Sequence, residues 1–194
     1  NCEPLTRNFQ VQDRRKLVVT ADIDTINLLC DGDPVHTTLS LSGEAPYTYT
    51  IEGTTVVDVP ITGNSVDITT GLSASVTGYQ NRIIVNDNYG CENDVYVTAF
   101  QPTPLVVGLP VVIDETCREK DNGRVSITVT GGTPGRYEVQ LGDKIQRSSD
   151  GVIEFYNIPA GIYNMTIKDK NGCFAQNPPT NIEVKEPADQ MVVS

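Results

Sequence analysis

The chain has no tryptophan, one histidine, two methionines and only 6% aromatic residues in 194 positions. A nucleophilic triad needs a His beside a Ser or Cys and a carboxylate to orient it. The lone His36 follows Pro34-Val35 and precedes a strand starting at Thr37, which reads as a loop or strand-edge residue. Basic residues are also scarce: 14 Lys plus Arg stand against 25 Asp plus Glu, for a net charge of −11 and a pI near 4.4. That balance excludes nucleic acid, whose phosphates need a basic stripe, and an anionic membrane surface. No run approaches about 18 consecutive apolar residues, so no direct membrane insertion by a helix is expected. The first residues, Asn1-Cys2-Glu3-Pro4, carry no basic and apolar leader. A secretory signal is therefore expected to have been removed or to lie outside this sequence.

Alanine (7) and leucine (10) are few, whereas Val (23), Ile (15) and Thr (21) make up about 30% of the chain. Branched side chains lose rotamer freedom in a helix and pack well on a pleated surface. With 16 Gly and 12 Pro punctuating short branched runs, the pattern predicts an all-β fold of sandwich type. Strands are predicted at Thr38–Leu41, 47–51, 125–129, 137–141, 162–167 and 182–184. Asn171-Gly172 is a hairpin signal, since both residues tolerate positive φ.

The chain also repeats itself. Leu17-Val18-Val19-Thr20 matches Leu105-Val106-Val107-Gly108, and Met191-Val192-Val193-Ser194 matches both. Cys30 matches Cys117. Ser42-Gly43-Glu44-Ala45-Pro46-Tyr47-Thr48-Tyr49 matches Thr130-Gly131-Gly132-Thr133-Pro134-Gly135-Arg136-Tyr137, with Tyr49 set against Tyr137. Asp87-Asn88-Tyr89-Gly90-Cys91 matches Asp169-Lys170-Asn171-Gly172-Cys173. The expected organisation is the tail of a preceding repeat (1–16), immunoglobulin-like repeats at 17–103 and 104–187, and the start of a following repeat (188–194). Pro102-Thr103-Pro104 is read as a stiff linker between the two whole repeats.

Five cysteines show no C-x-x-C spacing, so no zinc site is expected. Two disulfide frames fit the repeat. One joins Cys30 to Cys91 and Cys117 to Cys173, each inside its own repeat. The other joins Cys2 to Cys30 and Cys91 to Cys117 across the linkers. The first is expected here, because a domain of this size generally needs its own staple. Both demand an oxidising, extracellular compartment.

At these markers the sequence resembles the SprB-type repeat of surface adhesins of gliding bacteria. That family has an early Cys, a Gly-Gly-x-Pro-Tyr-x-Tyr motif, an Ala-Gly-x-Tyr strand, an Asp-x-x-Gly-Cys turn and a closing Glu-Pro. The second repeat supplies Cys117, Gly131–Tyr137, Ala160-Gly161-Ile162-Tyr163, Asp169–Cys173 and Glu186-Pro187; the first supplies Cys30, Gly43–Tyr49, Asp87–Cys91 and Gln101-Pro102. The first repeat reads Val76-Thr77-Gly78-Tyr79 at the Ala-Gly-x-Tyr position, and the second has Gly135 where the motif has its first Tyr. The resemblance implies a large secreted cell-surface protein, a string of sandwich domains serving adhesion or forming a surface filament.

No enzyme and no cofactor are expected. Asp22-Ile23-Asp24, Asp31-Gly32-Asp33 and Asn86-Asp87-Asn88 are the candidates for calcium, but no Asp-x-Asp-x-Asp-Gly loop is present and such clusters are ordinary turn chemistry. Asn164-Met165-Thr166 is the only N-glycosylation sequon. The expected partners are neighbouring repeats of the same chain, other copies through the terminal edge strands Asn1–Gln12 and Met191–Ser194, and surface glycans or proteins. The alternative is a carbohydrate- or protein-binding module attached to a secreted enzyme, with exposed tyrosines stacking on sugars.

Overall fold

The computed structural model describes residues 15–188. The tail at 1–16, the start at 188–194, Cys2 and both terminal edge strands therefore fall outside it, apart from residues 15, 16 and 188. Among the described residues every regular element is a strand, and no helix is long and apolar enough to cross a membrane. The chain forms two compact units that are not contiguous in sequence. The first holds 15–26, 34–74 and 79–99; the second holds 27–33, 75–78 and 100–188.

In the first unit β1 (Val18–Ala21), β3 (Thr37–Ser42) and β6 (Ser65–Ile68) form one sheet in the order β1-β3-β6. The other is β2-β8-β7-β4-β5, from β2 (Thr25–Asn27), β4 (Tyr47–Ile51), β5 (Val59–Ile61), β7 (Tyr79–Asn86) and β8 (Glu92–Phe100). Alternation along each strand sends one face inward: Leu39 and Leu41 from β3 meet Tyr47, Tyr49 and Ile51 from β4 and Ile83 and Val85 from β7. Asn81 is buried on β7 without penalty. Its Oδ1 accepts from Ser73 N at 2.8 Å, and its Nδ2 donates to Ser73 O at 2.9 Å and Val97 O at 3.1 Å.

The second unit repeats the plan. β11 (Gly123–Gly132) pairs with β9 (Thr103–Val107), β10 (Val111–Ile113) and β14 (Val152–Ile158). Facing it, β12 (Tyr137–Leu141) lies between β13 (Lys144–Ser148) and β16 (Met165–Lys168), while β15 (Gly161–Tyr163) pairs with β17 (Ile182–Val184). β15 and β16 are one strand interrupted at Asn164, where Met165 N turns away to Pro179 O and Asn164 Oδ1 accepts from Asn181 N. The core gathers Val125, Ile127, Val129, Val139, Leu141, Phe155 and Ile167. Buried Glu115 fastens the strand exit after β10: its Oε1 accepts from Ala160 N at 2.8 Å, and its backbone N donates to Lys185 O at 2.9 Å. Each unit is thus an immunoglobulin-like sandwich of antiparallel sheets, two in the first unit and, with β15-β17 a separate ladder, three in the second.

The ladders give the true correspondence of the repeats. Leu41 pairs with Val19 as Val129 pairs with Val107, an offset of 88. On the facing sheet Thr48 pairs with Asn86 as Glu138 pairs with Lys168. Tyr137 therefore occupies the place of Tyr47, not of Tyr49. The second repeat has not lost its first Tyr to Gly135; its turn holds two extra residues, and Val139 replaces the second Tyr. A second difference concerns the expected linker. Thr103 begins β9 and pairs with Gly132, so Thr103-Pro104 is an edge strand of the second unit.

Candidate functional site

The feature with the most specific chemistry is the Asp-x-x-Gly-Cys turn. In the second unit Asp169 is buried. Its Oδ1 accepts from Asn171 N and Cys173 N, both at 2.9 Å, and its Oδ2 accepts from Thr133 N at 2.8 Å. Asp169 N donates to Cys173 O at 3.0 Å and Gly172 N to Asp169 O at 3.1 Å, with Gly172 at φ +87. In the first unit Asp87 repeats the Oδ1 and backbone bonds: Oδ1 accepts from Tyr89 N and Cys91 N at 2.8 Å, and the Asp87–Cys91 and Gly90–Asp87 backbone bonds recur. The motif is a buried carboxylate folding a turn around itself so that the Cys stands at a fixed place.

Cys173 is bonded to Cys30, with a Cα–Cα separation of 5.5 Å. This pairing belongs to neither expected frame. Cys117 is exposed and unbonded, which removes both Cys117–Cys173 and Cys91–Cys117. The reason is the direction of the strands. β11 leaves Gly132 for the start of β12, and Glu138 pairs with Lys168, so the Cys173 turn lies at the Gly132 end of β11. Cys117 precedes Gly123, at the other end of this ten-residue strand, roughly 30 Å away at about 3.3 Å per residue. A disulfide needs Cα atoms within about 7 Å. The first repeat repeats the obstacle: the Cys91 turn follows Asn86, paired with Thr48 at the exit of β3, whereas Cys30 precedes β3.

Cys30 reaches Cys173 because the loop 27–33, which sequence places in the first repeat, packs with the second unit. Leu28 N donates to Phe100 O at 2.8 Å, Gln101 Nε2 to Asp31 Oδ1 at 2.9 Å, and Asn171 Nδ2 to Leu29 O at 3.2 Å. Asp33 Oδ2 caps the loop by accepting from Cys30 N at 3.0 Å. Beside the bond lies a shallow cleft of about 320 Å³ lined by Asp31, Asp33, Leu105, Asp169 and Phe174.

Several of the calcium candidates are engaged in turn and loop hydrogen bonds, Asp31 with Gln101, Asp33 with Cys30 N and Asp87 with its own turn. Asp22 Oδ1 accepts from Ile23 N, Thr38 N and the Thr37 hydroxyl, each at 2.9 Å. The Thr38 N–H, then the Thr37 hydroxyl, holds its pKa below the usual carboxylate value. Among the described residues no group of three or more His, Cys, Asp or Glu is placed to hold a metal ion. His36 is exposed ahead of β3. Tyr47, Tyr49 and Tyr137 are buried, and Tyr137 donates its hydroxyl to Gly131 O at 2.9 Å. The sequon residue Asn164 is exposed at the strand interruption.

No protein-family model matches the chain, and no curated protein matches it in sequence. Solved structures are similar to the chain at low identity. Murine CEACAM1b is 12% identical, with 89% of this chain and 100% of that chain covered and a TM-score of 0.31. Fibronectin(III)-like modules of Clostridium thermocellum CbhA are 13% identical over 87% of this chain and 95% of theirs, at 0.29. The C-terminal 282-residue fragment of intimin, solved with the intimin-binding domain of its translocated receptor, is 12% identical over 88% of this chain, at 0.41. The chain spans 64% of that fragment.

Proposed function

We propose that this chain is a non-enzymatic segment of a long, repetitive extracellular surface protein of the SprB-type repeat class, acting as an adhesin or structural filament. By sequence its repeats would run 17–103 and 104–187, with Thr103 already paired into the second sandwich, flanked by parts of neighbouring ones. The observation that carries this reading is the repetition of one turn, Oδ1 bonds and backbone bonds alike. Asp87 and Asp169 bind the same backbone groups at the same positions. The motif residues of the turn therefore serve to build a standard unit. The Cys30–Cys173 bond supports an oxidising compartment, and a charge of −11 favours solubility of a long array.

Electron microscopy of the native source material tests it. Beaded threads with a repeat of a few nanometres are expected. A compact secreted monomer of this length, or a hydrolytic activity abolished by His36→Ala, would overturn the reading.

A further inference from the structure

We infer that Cys117 forms a disulfide with the cysteine of an Asp-x-x-Gly-Cys turn in a further copy of this repeat, following the rule that Cys30 and Cys173 obey. The inference rests on the tandem-repeat reading above. Its basis is that the chain contains both the made bond and an unmade copy of one partner. Cys30 stands in the loop before β3 and is bonded to a turn cysteine from the next repeat in sequence. Cys117 is its counterpart, in the loop before β11, and β3 and β11 share one register against their partners β1 and β9.

Both loops are anchored to the closing strand segment two residues before the cysteine, Leu28 N on Phe100 O and Glu115 N on Lys185 O, and each is then held by its own side-chain cap. In the first, Asp33 Oδ2 accepts from Cys30 N. In the second, Asn122 Oδ1 accepts from Thr116 N at 3.0 Å, and its Nδ2 donates to Thr116 Oγ1 at 2.6 Å. Cys117 is exposed and unbonded in that loop. Its own unit offers no partner, since Cys173 is taken and lies at the far end of β11. The receiving turn is also a reusable part, because the Oδ1 atoms of Asp87 and Asp169 accept from the same two backbone N–H groups. A second contact accompanies the bond: Asn171 Nδ2 reaches Leu29 O, the carbonyl just before Cys30. The corresponding carbonyl beside Cys117 is that of Thr116, so the best partner turn carries Asn at the third position, as Asp169-Lys170-Asn171-Gly172-Cys173 does.

The chemistry is thiol–disulfide exchange. One thiolate attacks a small disulfide oxidant such as oxidised glutathione and releases one thiolate. The second protein thiolate then displaces the other half, so the two protein thiols lose two protons and two electrons while the oxidant becomes two thiols.

The test is a non-reducing peptide map of the native protein, isolated from its source in a thiol-alkylating reagent. Cys117 is expected in a cross-link to a peptide bearing Asp-x-x-Gly-Cys, with little alkylated Cys117. Recovery of Cys117 mainly alkylated, alongside peptides from further Gly-Cys repeats, overturns the staple and leaves the array standing. A map with no peptides from further repeats overturns the array itself, and the inference with it. A recombinant version appends a second copy of residues 109–194 after Ser194, in register because Met191–Ser194 aligns with Leu105–Gly108. The appended turn cysteine then lies one residue closer to Cys117 than the 143 that separate Cys30 from Cys173. With the appended repeat folded by hydrogen exchange, Cys117→Ser should add one reactive thiol. No added thiol would overturn the inference.

Discussion

A carboxylate taken out of water survives when hydrogen bonds replace its solvation, and Asp169 meets that condition with three backbone N–H donors. Asp169→Ala strands those donors and should cost roughly 2–4 kcal/mol by chemical denaturation. It should also make the Cys30–Cys173 bond easier to reduce. Glycine positions separate conformational strain from collision. Gly172 has φ +87 with open space where a Cβ would go, so Gly172→Ala should cost only about 1 kcal/mol. Gly131 has φ +76, and a Cβ there would lie 1.9 Å from Pro104 O, so Gly131→Ala should cost about 3 kcal/mol or more. Equal denaturation midpoints for the two variants would contradict this. Asp22 contributes to acid behaviour. Its folded pKa lies below the unfolded value, so its stabilisation is complete above the unfolded pKa and is lost as pH falls through the folded one. Asp94, lowered by the Arg82 guanidinium, has the same sign. Tm should therefore fall as pH drops below about 4. Asp22→Asn should flatten that limb, with its deficit at neutral pH closing toward pH 2.

At the scale of elements, burial alternation made much of the fold legible. Tyr47–Ile51, Tyr137–Leu141 and Ile182–Val184 are strands at the expected limits. The correspondence of the repeats was less legible for a physical reason. Shifting an alignment by two residues keeps every side chain on its face, so a period-2 pattern cannot tell Tyr47 from Tyr49 as the partner of Tyr137. Only the ladder to β7 and β16 decides. Edge strands were silent too: β13, Lys144–Ser148, has no buried residue and hence no alternation to read. β14 does alternate, with Ile153 and Phe155 inward, but its counterpart β6 shares no marker residue with it. That strand nonetheless anchors the second core. Phe155 is fully buried, and Phe155→Ala should cost about 3–5 kcal/mol. Calorimetry should find the second unit's transition lowered and the first unit's unchanged, because Phe155 belongs to one core cluster alone.

At the scale of the whole chain, the Asp-x-x-Gly-Cys turn could be read from sequence, whereas its partner could not. Repeat logic matches equivalent positions, and pairing depends on which end of a sandwich each position occupies. The bond closes 143 residues of chain, worth up to about 5 kcal/mol by loop entropy. Yet neither core depends on it. One hydrophobic cluster runs from Leu17 to Val97 and the other from Leu105 to Val184, and each is complete within its own repeat. What the bond holds is the loop 27–33, where the flanking support is hydrogen bonds from Leu28, Gln101 and Asn171. Reduction should therefore leave the β signature in far-ultraviolet circular dichroism intact at room temperature, while amide exchange and proteolysis increase selectively at 27–33. Cys30→Ser should reproduce this pattern without reductant. Loss of the β spectrum on reduction would mean instead that the disulfide is needed to keep a sandwich folded, as in small domains whose cores are too small to stand alone.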